Sequence, residues 1–140
     1  MDPLSITASI IGIVGLADKC VTKLRVLGQA STEVILLVNE VSDLNSVLTQ
    51  LIVLNHQTQQ LENPAAEGSQ IALKSLLKRA EDQLVELHQI VQKDLIKTGS
   101  KRPKANPLGW ARNKDHVTQL QQSIRSTRLN LAIAVGTANS

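Results

Sequence analysis

Thr32-Glu33-Val34-Ile35-Leu36-Leu37-Val38-Asn39-Glu40-Val41-Ser42-Asp43-Leu44-Asn45-Ser46-Val47-Leu48-Thr49-Gln50-Leu51-Ile52 carries the clearest periodicity in the chain. Val34, Leu37, Val41, Leu44, Leu48 and Leu51 recur at alternating steps of three and four, and Val38, Val47 and Ile52 widen the stripe. Such spacing places them on one face of an amphipathic helix. Ser31 or Thr32 suits the cap, and Glu33 suits the first turn beside the helix dipole. The pattern runs on to Leu61, where Asn63-Pro64 and Gly68-Ser69 break it, because Pro64 disfavours helix at the residue before it.

The same steps return on either side. Downstream, Leu73, Leu77, Ala80, Leu84, Leu87 and Val91 mark a helix over about 69–97, with Leu76, Ile90 and Leu95 beside the stripe. Thr98-Gly99-Ser100 ends it. Residues 98–112 hold Pro103, Pro107 and Gly109 and read as an exposed basic loop with Trp110 at its far end. Asn113 and Asp115 suit the start of a fourth helix over about 113–136, with Val117, Leu120, Ile124, Leu131 and Val135 inward and Arg125 and Arg128 toward water. No strand-like alternation of useful length and no internal repeat appears. Upstream, Pro3 at the first helical position and Gly28 at the end bound a first helix over about 3–28. The expected fold is therefore all-α: one domain spanning 1–140, an antiparallel bundle of four main helices (3–28, 32–61, 69–97, 113–136). Helices two and three supply the frame, and the hydrophobic N-terminal helix lies in the groove they make.

That first helix has two halves. Ile6, Ile10, Ile13, Val14, Leu16, Ala17, Val21, Leu24 and Leu27 share a broad face. From Asp18 onward the opposite face is charged, with Lys19, Lys23 and Arg25. From Leu4 to Ala17 no charge occurs, and Leu4, Ile11, Gly12 and Gly15 fill the side that later becomes polar. The first half is thus apolar nearly all round. Either it is buried on several sides, or its outer side meets lipid or another protein. Ile11 discriminates: accessible if the helix is releasable, enclosed if it is only core. Gly12 and Gly15 read as points of close packing against a neighbouring helix, with a flexible or self-associating segment as the alternative.

Composition narrows the function classes. Apolar residues make up 42% of the 140, with no Phe or Tyr and one Trp, so the core is aliphatic. One cysteine, Cys20, excludes an internal disulfide framework, suits a reducing cytosol and reads as a small core residue. The N-terminus lacks the basic n-region of a secretory signal, and the uncharged run is shorter than the ~20 residues of a spanning helix. The protein is accordingly expected to be soluble and cytoplasmic at rest. Lys97, Lys101, Arg102, Lys104, Arg112 and Lys114 give +6 with no acid among them, against a net +3 for the chain, leaving −3 elsewhere. Such a run is either a solvated loop or a contact for anionic lipid, each cation near such a surface contributing about 1 kcal/mol. Aromatic stacking residues are nearly absent, so no specific nucleic acid is expected. His56, His88 and His116 are scattered, with no zinc spacing, no Walker A loop and no nucleophile setting; no metal, cofactor or catalytic residue is expected, and the chain does not read as an enzyme.

Met1-Asp2-Pro3-Leu4-Ser5-Ile6-Thr7-Ala8-Ser9-Ile10-Ile11-Gly12 closely resembles the opening of the fungal HeLo-like N-terminal domains. Asn39-Glu40-Val41-Ser42-Asp43-Leu44, Val47-Leu48 with Gln50-Leu51, Trp110-Ala111 and Leu129-Asn130-Leu131-Ala132 extend the likeness over essentially all of the chain. In that family the Trp stands in a basic context, which Arg112 and Lys114 reproduce. The resemblance implies a helical module at the N-terminus of fungal NLR-type (STAND) receptors or cell-death effectors, concerned with heterokaryon incompatibility and fungal innate immunity, and similar in architecture to the four-helix domain of the necroptosis executioner. It implies action by oligomerisation and delivery of the N-terminal helix to the plasma membrane. The membrane-targeting helix would then comprise Leu4, Ile6, Ile10, Ile11, Gly12, Ile13, Val14, Gly15 and Leu16. Lys101, Arg102, Lys104, Arg112 and Lys114 would meet anionic lipid or a partner. Expected partners are the membrane on activation, further copies of the chain, and an upstream receptor or C-terminal signalling region. The alternative is a homotypic interaction or adaptor module without direct membrane activity.

Overall fold

The computed structural model describes residues 3–26, 32–58, 66–97 and 104–139. Helix α1 spans Pro3–Val26, α2 Thr32–Thr58, α3 Ala66–Ile90 and α4 Pro107–Asn139. Between α3 and α4 lie a π-helical turn, Val91–Leu95, and two short antiparallel strands, β1 Ile96–Lys97 and β2 Lys104–Ala105. The all-α four-helix bundle expected from the periodicity is the observed fold. Every stripe residue of α2 is buried, as are Leu77, Ala80, Leu84, Leu87 and Val91 of the third stripe and Val117, Leu120, Ile124, Leu131 and Val135 of the fourth. Their aliphatic side chains form one continuous core with Ile6, Ile10, Ile13, Ala17, Cys20 and Leu24 of α1.

The order of the helices around the core differs from a simple circuit. α1 packs on α2 and α3, and α4 packs on the same two helices from the opposite side. α2 and α3 therefore stand across one diagonal, and α1 and α4 across the other. α1 does lie in the groove between helices two and three, but these two make little direct contact with each other. The short α1–α2 connection, residues 27–31, makes those helices antiparallel. α1 and α3 run in the same direction. The start of α1 (Ile6, Ser9) faces Lys74–Glu81, Cys20 reaches Leu84, and Lys23 lies near His88. Sequence-adjacent helices thus remain antiparallel, while α1 with α3 and α2 with α4 are parallel neighbours.

Two boundaries need correction. α3 begins at Ala66 rather than near Ser69, with Gly68 inside the helix. α4 begins at Pro107 rather than Asn113, so the second part of the expected basic loop is helical. Pro107 occupies the first helical position, where a missing N–H costs nothing. The Trp110 N–H donates to the Asn106 carbonyl at 3.0 Å, closing the first turn, and the Asn106 N–H donates to the Leu95 carbonyl at 2.9 Å. Gly109 is what allows this approach: a Cβ there would stand 1.6 Å from the Asp94 carbonyl oxygen. Asn113 is consequently not a cap. Its side-chain amide donates to the Gly109 carbonyl at 2.8 Å, one turn into the helix.

The end of α3 is also rewound. The Ile96 N–H donates back to the Val91 carbonyl, five residues earlier, so the turn carries an extra residue and buries both Val91 and Leu95. The chain then leaves the helix as β1, paired through Ile96 with Ala105 and Lys97 with Lys104. This π-turn, the hairpin and the start of α4 form one end of the bundle, next to the C-terminal part of α1.

Candidate functional site

α1 is divided lengthwise more sharply than its sequence suggests. Ile6, Ile10 and Ile13 are fully buried, Val14 and Leu16 are half-buried and packed on the core, and Ile11 is 55% exposed. Ala8, Gly12 and Gly15 are exposed beside it. The side chain of Leu4 lies outside the described residues. The inner and outer apolar faces are therefore distinct surfaces, and Ile11 takes the accessible position of the two weighed for it. The reading of Gly12 and Gly15 as close-packing points is corrected: a Cβ at either would meet nothing within 4 Å. They leave the outer surface of the helix small and uncharged there.

Two crevices flank α1. One, of about 430 Å³, runs between α1 and α3 and is lined by Ile6, Ser9, Lys74, Ser75, Leu77, Lys78 and Glu81. The other, of about 500 Å³, runs between α1 and α2 and is lined by Asp18, Val21, Arg25 and the polar side chains of Ser42, Asn45, Ser46 and Thr49. Here the Asn45 amide donates to Asp18 Oδ1 at 2.8 Å, tying the charged half of α1 to α2, while Asn45 Oδ1 is buried without a partner.

Among the described residues, the basic side chains of this set do not gather beside the apolar half of α1. Lys101 and Arg102 lie outside the described residues, and Lys104 is in β2, its side chain likewise outside them. Arg112 and Lys114 are exposed on the first turns of α4, at the end of the bundle that holds the π-turn. That end is next to Lys19, Lys23 and Arg25, not Ile11. From Ile11 to Arg25 along the helix is about 21 Å at ~1.5 Å per residue. Trp110 is half-buried against the core, so it anchors the start of α4.

Cys20 is the small core residue its setting suggested. It is fully buried, its thiol donates to the Leu84 carbonyl at 3.7 Å, and burial pushes its pKa up to about 11, only partly opposed by Lys23. Nucleophilic use needs a thiolate, which this setting disfavours. His88 is held below the usual imidazole range, first by burial and then by Lys23 and Lys19. His116 on α4 meets Glu86 on α3 at 2.6 Å on the exposed surface. His56 has its side chain outside the described residues. No group of three metal-ligating side chains occurs among the described residues.

A polar clasp between helices escaped the sequence reading. Arg128 was expected to face water. Instead its Nε donates to Glu40 Oε1 at 2.7 Å, with side-chain exposures of 19% and 10%, joining α4 to α2. The adjacent Thr127 is buried, its hydroxyl 3.0 Å from Gln83 Oε1 of α3 and 3.1 Å from the Ser123 carbonyl. The signal lies in the spacing. Glu40 falls three after Leu37 and four before Leu44; Arg128 falls four after Ile124 and three before Leu131.

No described helix is long and apolar enough to cross a membrane. Comparison with protein-family models, curated proteins and solved structures yields no match.

Proposed function

We propose that this chain is a HeLo-like module whose N-terminal helix acts at a membrane once several copies assemble. The observation that carries the reading is the exposure of Ile11 on a charge-free outer face of α1 while Ile6, Ile10 and Ile13 hold the inner face in the core. Its opening residues, which resemble those of that family, support the same reading.

The energetics define what activation has to supply. Withdrawing Ile6, Ile10 and Ile13 from the core costs about 5–9 kcal/mol at ~1.5–3 kcal/mol per side chain. That is comparable with the whole stability of a domain, ~5–15 kcal/mol. At ~5.5 kcal/mol the released form is about one molecule in ten thousand. The bundle therefore keeps α1 docked unless the same side chains gain another apolar surrounding. Lipid offers one. Asp18, Lys19, Lys23 and Arg25 make a lone α1 a poor spanner, so an assembly with the charged half turned to water is the form consistent with its sequence. Arg112, Lys114 and the cations of α1 would dock the opposite end of the bundle on anionic lipid, and the first half of α1 would reach the bilayer only by leaving its groove.

The test is dye release from anionic liposomes by the wild-type chain and Ile11→Asp. The proposal expects release by the wild type and its loss in the folded variant. Equal release by both would refute it. A second reading, an adaptor that recruits further copies or a receptor region without touching lipid, is favoured by exposed Leu129 and Ile133 on α4. Absence of leakage together with retained self-association would select it.

A further inference from the structure

The bundle carries two outward apolar faces on opposite sides. On α1, Ala8, Ile11, Gly12 and Gly15 are exposed, with open space where each glycine would carry a Cβ. On α4, Leu129 is 49% and Ile133 66% exposed, one turn apart, with exposed Gly136 beyond them. One face is a run of small residues around a single Ile; the other is a ridge of two large side chains. Because α1 and α4 occupy opposite corners, these faces point away from each other and cannot meet within one molecule.

They stand at comparable heights. Cys20 reaches Leu84 on α3; Gln83 and Glu86 of α3 reach Thr127 and His116 on α4. Cys20 is thus level with the part of α4 between residues 116 and 127. α1 and α4 run in opposite directions, so these contacts put Ile11 level with the part of α4 that holds Leu129 and Ile133, while the Asp18–Asn45 and Glu40–Arg128 contacts through α2 put it nearer the C-terminal end of that helix. Two copies placed side by side in the same orientation bring the outer face of α1 of one against the C-terminal half of α4 of the next, where the ridge lies.

We infer that the chain self-assembles head to tail, α4 of one copy seated on α1 of the next. This deepens the self-association within the proposed function by naming its two surfaces. Charge supports the second copy as occupant. With Ile11 opposite Leu129 in the antiparallel pair, Gly15 falls opposite Arg125 and Arg25 opposite Asp115. Asp18 and Arg125 both lie on the α2-facing flank of their helices. Asp18 is bonded to Asn45 of α2, and Arg125 is one turn before Arg128, which is bonded to Glu40 of α2. In that register they meet as opposite charges within one turn of each other. Lys114 adjoins Arg25, so the far end of the seam adds little and the apolar end carries the contact. A seam of this kind is heterologous: it extends or closes into a ring, and does not stop at a dimer. One helix-on-helix contact falls short of the ~800 Å² per partner of a standard interface, so the association is weak and concentration-dependent.

Complementary blocking tests it. Sedimentation velocity is run up to ~0.5 mM, a range suited to weak association, on the wild-type chain, Ile11→Asp, Leu129→Asp and an equimolar mixture of the two variants, each checked for helicity. The wild type is expected to grow past dimer, each variant to be monomeric, and the mixture to return to dimers and stop there, because it retains one intact seam. Disulfide trapping gives the register: with Cys20→Ala in both, Ile11→Cys mixed with Leu129→Cys should cross-link to each other at least tenfold faster than Ile11→Cys to itself. A wild type monomeric throughout, a mixture that stays monomeric, or preferential Ile11→Cys homodimers would overturn the proposal. Leakage measured on the same samples separates the readings. Assembly without leakage sinks the membrane role and leaves the seam standing; leakage by a monomeric wild type does the reverse.

Discussion

Ile11 and Ile13 are two residues apart on one helix, and placing Asp at each yields opposite outcomes. Ile13 is 1% exposed. Removing its side chain costs about 2–5 kcal/mol, as for other buried aliphatic truncations. The incoming carboxyl adds the cost of burying a polar group without a partner, about 2 kcal/mol or more. The total, about 4–7 kcal/mol or more, reaches the lower part of the range of domain stability, so Ile13→Asp should be largely unfolded in buffer. Ile11 keeps about half its surface in water, so Ile11→Asp gives up roughly half of a ~1.5–3 kcal/mol burial term plus a few tenths in helix propensity, about 1–2 kcal/mol. With a urea slope of about 2 kcal/mol/M, the midpoint falls by about 0.5–1 M. Urea titration followed by far-ultraviolet circular dichroism reads both. An Ile13→Asp chain whose midpoint lies within ~0.5 M of Ile11→Asp would refute the division of α1 into core and outer faces. The same numbers make Ile11→Asp the informative variant for membrane assays, since Ile13→Asp loses activity by unfolding whatever the function.

Arg128→Met should cost about 2–4 kcal/mol by stranding the Glu40 carboxylate between α2 and α4, while Glu40→Leu with Arg128→Met should recover much of the loss; thermal melts of the double-mutant cycle test this. Gly109→Ala should destabilise by about 2 kcal/mol or more, because α4 must retreat from the Asp94 carbonyl; the fluorescence of Trp110, one residue away, should shift in the folded variant. His88 contributes a pH dependence of definite sign. Its folded pKa lies below the unfolded value of ~6.5, so the unfolded chain takes up the proton first as pH falls. The stability it contributes is complete above ~6.5 and is lost as pH drops toward the folded value. His88→Gln should flatten that part of the stability profile, and an unchanged slope would contradict it. Cys20 should resist thiol reagents at neutral pH until urea unfolds the chain, since burial holds its pKa near 11.

Much of the fold was legible because aliphatic spacing reports directly on burial in helices. The stripes from Val34 to Leu51 and from Leu77 to Val91 are buried without exception at their three-and-four steps. Ile6, Ile10 and Ile13 followed the same rule. What escaped depends on contacts distant in sequence. Pro107-Leu108-Gly109 reads locally as a breaker, and only the Asp94 carbonyl against Gly109 turns it into the first turn of a helix. Two-residue strands are too short to alternate visibly. Gly12 and Gly15 were placed on the outer side, but whether a neighbour packs on them was not legible, since small residues fit close packing and open surface equally well; the neighbours that decide are absent from the local sequence. Arg128 was placed by its charge when its spacing from Ile124 and Leu131 pointed inward. Of the outer-face residues Ile11 was legible as the discriminator, but the ridge of Leu129 and Ile133 had no signal apart from two apolar residues off the stripe.

The diagonal arrangement of the helices has a topological consequence. α1 sits at one corner of the described fold and packs chiefly on α2 and α3, with a smaller contact to the π-turn that follows α3, while α4 packs on α2 and α3 from the other side. Lifting α1 sideways therefore requires no other described helix to unthread. It leaves α2, α4 and α3 as an uninterrupted layer still riveted by Glu40 to Arg128 and by Gln83 to Thr127. Had the chain followed the simple circuit, α2 and α3 would pack together and α1 would share a seam with α4. Crossing the diagonal makes the N-terminal helix a removable corner post, and the three that remain can keep their relative positions when it goes.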